Sequence, residues 1–146
     1  MSSWRDSVSD GTLADVEGLV RSALPVAQKA LEERGGFVPY AAAVRIDDEV
    51  EIMAADMSAA IPAETDVVLE ELVTDLRDRA DSVRAGAVIS EIRLPDSNAD
   101  AIRIRVEHRD GVALDVYLRY QMVGAYGEVA YSSPVSEPGT PVIFAR

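Results

Sequence analysis

The sequence predicts an α+β fold, a two-layer sandwich in which an antiparallel sheet of five or more strands carries helices on one face. Three observations predict it. Two stretches repeat apolar residues at every third and fourth position, the spacing of amphipathic helices. Several shorter stretches alternate apolar with polar residues, the spacing of half-buried strands. The segments follow one another as α-β-β-α-β-β-β, an order that places helices against an antiparallel sheet. All 146 residues read as a single domain, 1–146. A chain of this length buries about two-thirds of its extended surface without disulfides or metal.

Residues 1–10 are polar and aperiodic and read as a frayed end. Thr12-Leu13-Ala14-Asp15 reads as a capping box with Asp in place of Glu. Leu13, Val16, Leu19, Val20, Ala23, Leu24, Ala27, Ala30 and Leu31 then form an apolar stripe, and Gly35-Gly36 supplies the stop. Pro25 removes the amide that would bond the Arg21 carbonyl, which predicts a kink or two abutting helices. Residues 37–46 and 50–55 read as the arms of a hairpin. Keeping their faces in phase pairs Ile46 with Val50, leaves Asp47-Asp48-Glu49 as the loop and sets Arg45 opposite Glu51.

A second helix follows Pro62, with Leu69, Leu72, Val73, Leu76, Ala80 and Val83 as its stripe and Gly86 as its terminator. Three strands are expected next, over 87–94, 101–108 and 112–120. The middle one turns Ile102, Ile104 and Val106 inward and Arg103, Arg105 and Glu107 outward. At Arg109-Asp110-Gly111, a two-residue loop would set Val106 opposite Asp115 and mix the faces. A three-residue loop with Gly111 left-handed sets Val106 opposite Leu114 instead, and this is the expected register. Residues 121–146 read as an irregular tail packed on the domain. Within it, 128–131 reads as a short strand, and Val142-Ile143-Phe144 as an edge strand or groove filler, on this chain or on a second copy.

This element order resembles that of the roadblock, longin and profilin-like group, over about residues 12–120. The resemblance implies a scaffold used for binding, frequently as a dimer. No family motif accompanies it, and fold alone does not assign function.

Composition excludes several classes. A net charge of −12, from 26 acidic against 14 basic residues, argues against a nucleic-acid partner. The absence of cysteine removes disulfides, thiol nucleophiles and iron–sulfur ligation. The N-terminus lacks the pattern of a secretory signal, and no apolar run reaches the ~18–20 residues that cross a bilayer. No membrane partner and a cytoplasmic location are therefore expected. Lys29 is the single lysine beside many arginines, a bias expected of a GC-rich bacterial genome, the preferred reading, or of a saline cytoplasm where acidic surfaces keep proteins soluble. Phosphate loops, dinucleotide-binding glycines, nucleophile elbows and zinc-binding helix motifs are missing, so no cofactor is expected.

Chemistry-bearing residues are few. His108, the single histidine, falls at the inward end of a strand opposite Val112 and could serve as an acid or base. Asp66/Glu70 and Glu71/Asp75 share helix faces, but without further ligands they read as a solvated acidic surface, and no metal is expected. Pairing Leu94 with Ile102 would line up Glu91, Arg105 and Asp115 in one row of the polar sheet face. The next row would hold Arg93, Arg103 and Tyr117, with Arg119 one step along. That basic row suits a small carboxylate or phosphate, or the acidic helix of a second copy. The expected ligand-binding set is Arg93, Arg103, Tyr117, Arg119 and His108, and no catalytic residue is assigned. Tyr117, Tyr120, Tyr126 and Tyr131 crowd the last third, and Met53 and Met57 suit a small pocket. The function expected is a non-enzymatic binding or scaffolding domain acting as a homodimer. Two readings stand beside it. One is a small-anion-binding protein or enzyme with a pocket between helices and sheet; the other is an acidic neutraliser of a basic partner protein.

Overall fold

The apolar stripe from Leu13 to Leu31 folds as one unbroken helix, α1 (Asp10–Arg34). The computed structural model describes residues 8–54, 65–94, 98–124 and 128–144. Of the frayed end expected at 1–10, residues 1–7 lie outside them, as do the expectations for Met57, Pro62 and Tyr126; residues 9 and 10 are not frayed but cap and begin the helix. The cap of α1 is Ser9 rather than Thr12: the Ser9 hydroxyl accepts the Thr12 N–H at 3.1 Å. The Thr12 hydroxyl is drawn away to Asp110, in the turn at residues 109–111. Pro25 does not divide the helix. Gly35 ends it as expected, its N–H bonding the Leu31 carbonyl.

Strands β1 (Tyr40–Arg45) and β2 (Val50–Ala54) form the first hairpin with the expected faces together, but slipped by two residues. Val44, not Ile46, lies opposite Val50. Asp48 adopts a left-handed φ of 72° and closes a tight turn in which Arg45 N–H bonds the Glu49 carbonyl at 2.8 Å. A two-residue slip leaves every side chain on its face, so hydrophobic phasing cannot detect it. The expected pairing of Arg45 with Glu51 is therefore not made. Glu51 meets Arg79 at 2.9 Å, and Arg45 meets Asp47 at 3.2 Å.

Helix α2 (Thr65–Asp78) buries Val68, Leu72 and Leu76 and is shorter than its stripe suggested. A 3-10 turn at Ala80–Ser82 leads into β3 (Val83–Leu94), so Val83 belongs to the sheet and Gly86 sits inside a strand. Gly86 is not a terminator but a point of close approach. A Cβ there would stand 3.2 Å from Ile143 Cδ1 and 3.3 Å from Leu76 Cδ2. After β3 come β4 (Ala99–His108), β5 (Ala113–Val123), β6 (Glu128–Tyr131) and β7 (Val135–Pro138).

The sheet runs β2-β1-β3-β4-β5-β6, with β7 also on β5, and every pair is antiparallel. The α+β class and the sheet of five or more strands are as expected. The placement of both helices on one face is corrected. Ala42, Val44, Ala85, Ala87, Ile89, Ile102, Ile104 and Val106 pack with α1, whereas Ala41, Ala43 and Val88 pack with α2 on the opposite side. Strands β1 and β3 are covered on both faces, making three layers there. Small residues in β1 and β3 let α2 come down close to the second face.

The stretch after Tyr120 is more regular than expected. β5 continues to Val123, and its outer edge is shared by β6 and β7, whose registers differ by one residue across the break at 132–134. Val142-Ile143-Phe144 fills a groove of its own chain. Ile143 is buried among the α2 side chains, and the Glu107 carboxylate accepts the N–H groups of Val142, Ile143 and Phe144 at 2.9–3.2 Å. Arg77 Nε donates to the Val142 carbonyl at 3.0 Å.

Candidate functional site

His108 ends β4 on the α1 side, opposite Val112 as phased, and is 4% exposed. Its Nδ1 accepts the Asp110 backbone N–H at 3.1 Å, so the proton of the neutral ring sits on Nε2 and faces Asp15 Oδ2 at 2.9 Å. Asp15 also takes two hydrogen bonds from Arg84, at 2.9 and 3.1 Å, and Arg84 reaches on to Asp48 at 2.5 Å. Burial opposes ionisation of Asp15, but the hydrogen bonds from Arg84 and His108 outweigh it and hold the carboxyl below its ordinary value. Sequence reasoning missed Asp15 by reading it as a capping residue. Its signal was position: it is flanked on the helix by Thr12, Val16 and Leu19, all buried against the sheet. Both ring nitrogens of His108 are engaged. The arrangement ties helix, strand and the turns carrying Asp48 and Asp110 together rather than presenting a base to solvent.

The expected basic row is split by the register of β3. Glu91, not Leu94, lies opposite Ile102, and Ser90 lies opposite Arg103. This odd-numbered shift moves every β3 side chain to the other face. The cause is that β3 is buried on both sides from Ala85 to Ser90, so its hydrophobic pattern carries no face signal. Glu91 therefore accepts the Phe37 N–H at 2.5 Å on the α1 side. Arg93, on that same side, bonds Asn98 and Asp100.

Of the expected set, Arg103 and Tyr117 are neighbours as phased, with Arg105 opposite Asp115 beside them. The Arg103 guanidinium lies 5.9 Å from the Tyr117 ring centroid and bonds Asp115 at 3.2 Å. Tyr117 donates to Glu137 at 3.1 Å. Burial raises the Tyr117 pKa, opposed by the nearby Arg103 charge and reinforced by the bond to Glu137. Two arginines against Asp115 and Glu137 leave this surface balanced rather than basic. Arg119 lies further along and shares a cleft of about 540 Å³ with Arg93, Asp100, Tyr120 and Tyr131. Tyr120 is pushed up to about 12 there, by burial first and then by the charges of Glu91 and Asp100.

The two sheet edges differ. On the far side, β6 and β7 are four residues each, and β7 carries Glu137 and Pro138, features that discourage further strand pairing. On the near side, β2 reads Val-Glu-Ile-Met-Ala, with neither Lys nor Pro, and its one charge is held by Arg79. Val50 and Ile52 are 41% and 43% exposed, and Val26 and Val38 beside them 42% and 46%. Val26, Val38 and Ile52 line an apolar groove of about 490 Å³ between α1 and this edge.

Among the described residues no cluster of carboxylate or imidazole groups could hold a metal ion, and no helix is long and apolar enough to cross a membrane. Comparison with known proteins finds no match among family models, curated proteins or solved structures.

Proposed function

We propose that the chain is a non-enzymatic binding or scaffolding domain of a bacterial cytoplasm, working as a homodimer, with the β2 edge as its contact surface. One observation carries this reading: among the described residues β2 is an unblunted edge strand flanked by exposed Val26, Val38, Val50 and Ile52, whereas the opposite edge is short and broken. The engagement of His108, Arg93 and Arg103 within the chain supports a binding role over catalysis. The cysteine-free, arginine-biased composition supports the compartment. Sedimentation velocity tests the reading. The wild type is expected to sediment as a dimer at micromolar concentration. Ile52→Lys, at an exposed position, is expected to sediment as a folded monomer with an unchanged circular dichroism spectrum. A wild type that stays monomeric at high micromolar concentration overturns the proposal.

A second reading, a small-anion site, is favoured by the cleft that Arg93 and Arg119 both line. Calorimetric titration with phosphate and with a small dicarboxylate tests it; no heat above dilution with either removes it.

A further inference from the structure

The backbone of β2 narrows the proposed dimer to one register. The hairpin closes with Arg45 N–H on the Glu49 carbonyl, which makes Arg45 and Glu49 a hydrogen-bonded pair. Antiparallel pairs alternate, so Glu51 and Met53 turn their N–H and C=O groups toward β1. The N–H and C=O groups of Val50, Ile52 and Ala54 therefore point away from the sheet. A strand added to this edge must bond through those three residues.

We infer, building on the homodimer reading, that two copies join antiparallel at β2 with Ile52 on the two-fold axis, forming one continuous sheet. In this register Ile52 bonds its own twin and Val50 bonds Ala54 of the second copy, which engages every outward backbone group of the strand. Glu51 then lies opposite the second copy's Met53. Centring on Glu51 instead would place two carboxylates directly opposite each other, about 4.5 Å apart at the Cα atoms, a destabilising cross-strand pair. Within β2, centring on Val50 would leave Ile52 and Ala54 without partners, and centring on Met53 would leave Val50 without one. The axis through Ile52 stands perpendicular to the sheet and keeps α1 of both copies on the same side. The apolar groove of Val26, Val38 and Ile52 in one copy thereby adjoins the same groove in the other.

The absence of cysteine makes the register measurable, because any introduced thiol is the only one. Hydrogen-bonded antiparallel pairs set Cα atoms about 5.5 Å apart. That separation lies within the roughly 4.4–6.8 Å range a disulfide spans. Ile52→Cys is expected to oxidise mostly to a covalent dimer. Val50→Cys, about 14 Å from its twin, is expected not to cross-link. Glu51→Cys and Met53→Cys are expected to stay uncross-linked alone and to cross-link when mixed. A wild type that sediments as a dimer while Ile52→Cys stays uncross-linked, or while Glu51→Cys cross-links to itself, overturns the register and leaves the homodimer reading standing. A wild type that sediments as a monomer overturns both.

Discussion

Asp15 and Glu107 show how single carboxylates hold distant parts of this chain together. Asp15 joins α1 to Arg84 of β3 and His108 of β4, with its carboxyl held below the ordinary value. A depressed folded-state pKa adds stability that is present above the unfolded value of about 3.9 and is lost as pH falls through the lower folded value. Asp15→Asn is therefore expected to cost about 1–2 kcal/mol at neutral pH in urea unfolding. That difference from the wild type should shrink in strong acid; a constant gap across the range would contradict the assignment. Glu107 is 5% exposed and spans the tail with acceptors only. Glu107→Gln would point an amide NH₂ at backbone N–H groups. It is expected to cost about 1–3 kcal/mol. Faster hydrogen exchange at 142–144 would report the loosened tail, and unchanged exchange there would refute the role.

At the scale of elements, the neighbouring strands β1 and β3 decide how the layers stack. Ala41, Ala43 and Gly86 present little bulk to α2, and Ile143 drops into the same space. Gly86→Val would push into Leu76 and Ile143 and is expected to cost about 1–3 kcal/mol through overpacking. A thermal melt measures it, with no loss of stability as the contrary outcome. The second hairpin behaves differently from the first because Gly111, at φ 102°, fits the left-handed position that its three-residue loop requires. Its register, Val106 opposite Leu114, follows from loop and faces together. In the first hairpin the left-handed residue is Asp48, a position an acidic triplet does not advertise.

For the whole molecule, a charge of −12 sets the sign of any self-association. Two such copies repel, and salt screens that repulsion over a Debye length of about 8–10 Å. A dimer joined by backbone pairing and apolar side chains is expected to tighten as salt rises. One built from the Arg103 surface on an acidic helix would loosen instead, and sedimentation across a salt series separates the two. Periodicity in the sequence determined the two helices, the hairpins and the inward faces of β4 and β5, because each of these has one wet side and one dry side. It also set Arg103 beside Tyr117. Only the tertiary structure decided the side taken by α2, the register of β3 and the partner of His108. A strand covered on both faces has no alternation to read, and Asp15 meets His108 across 93 positions of chain through packing alone.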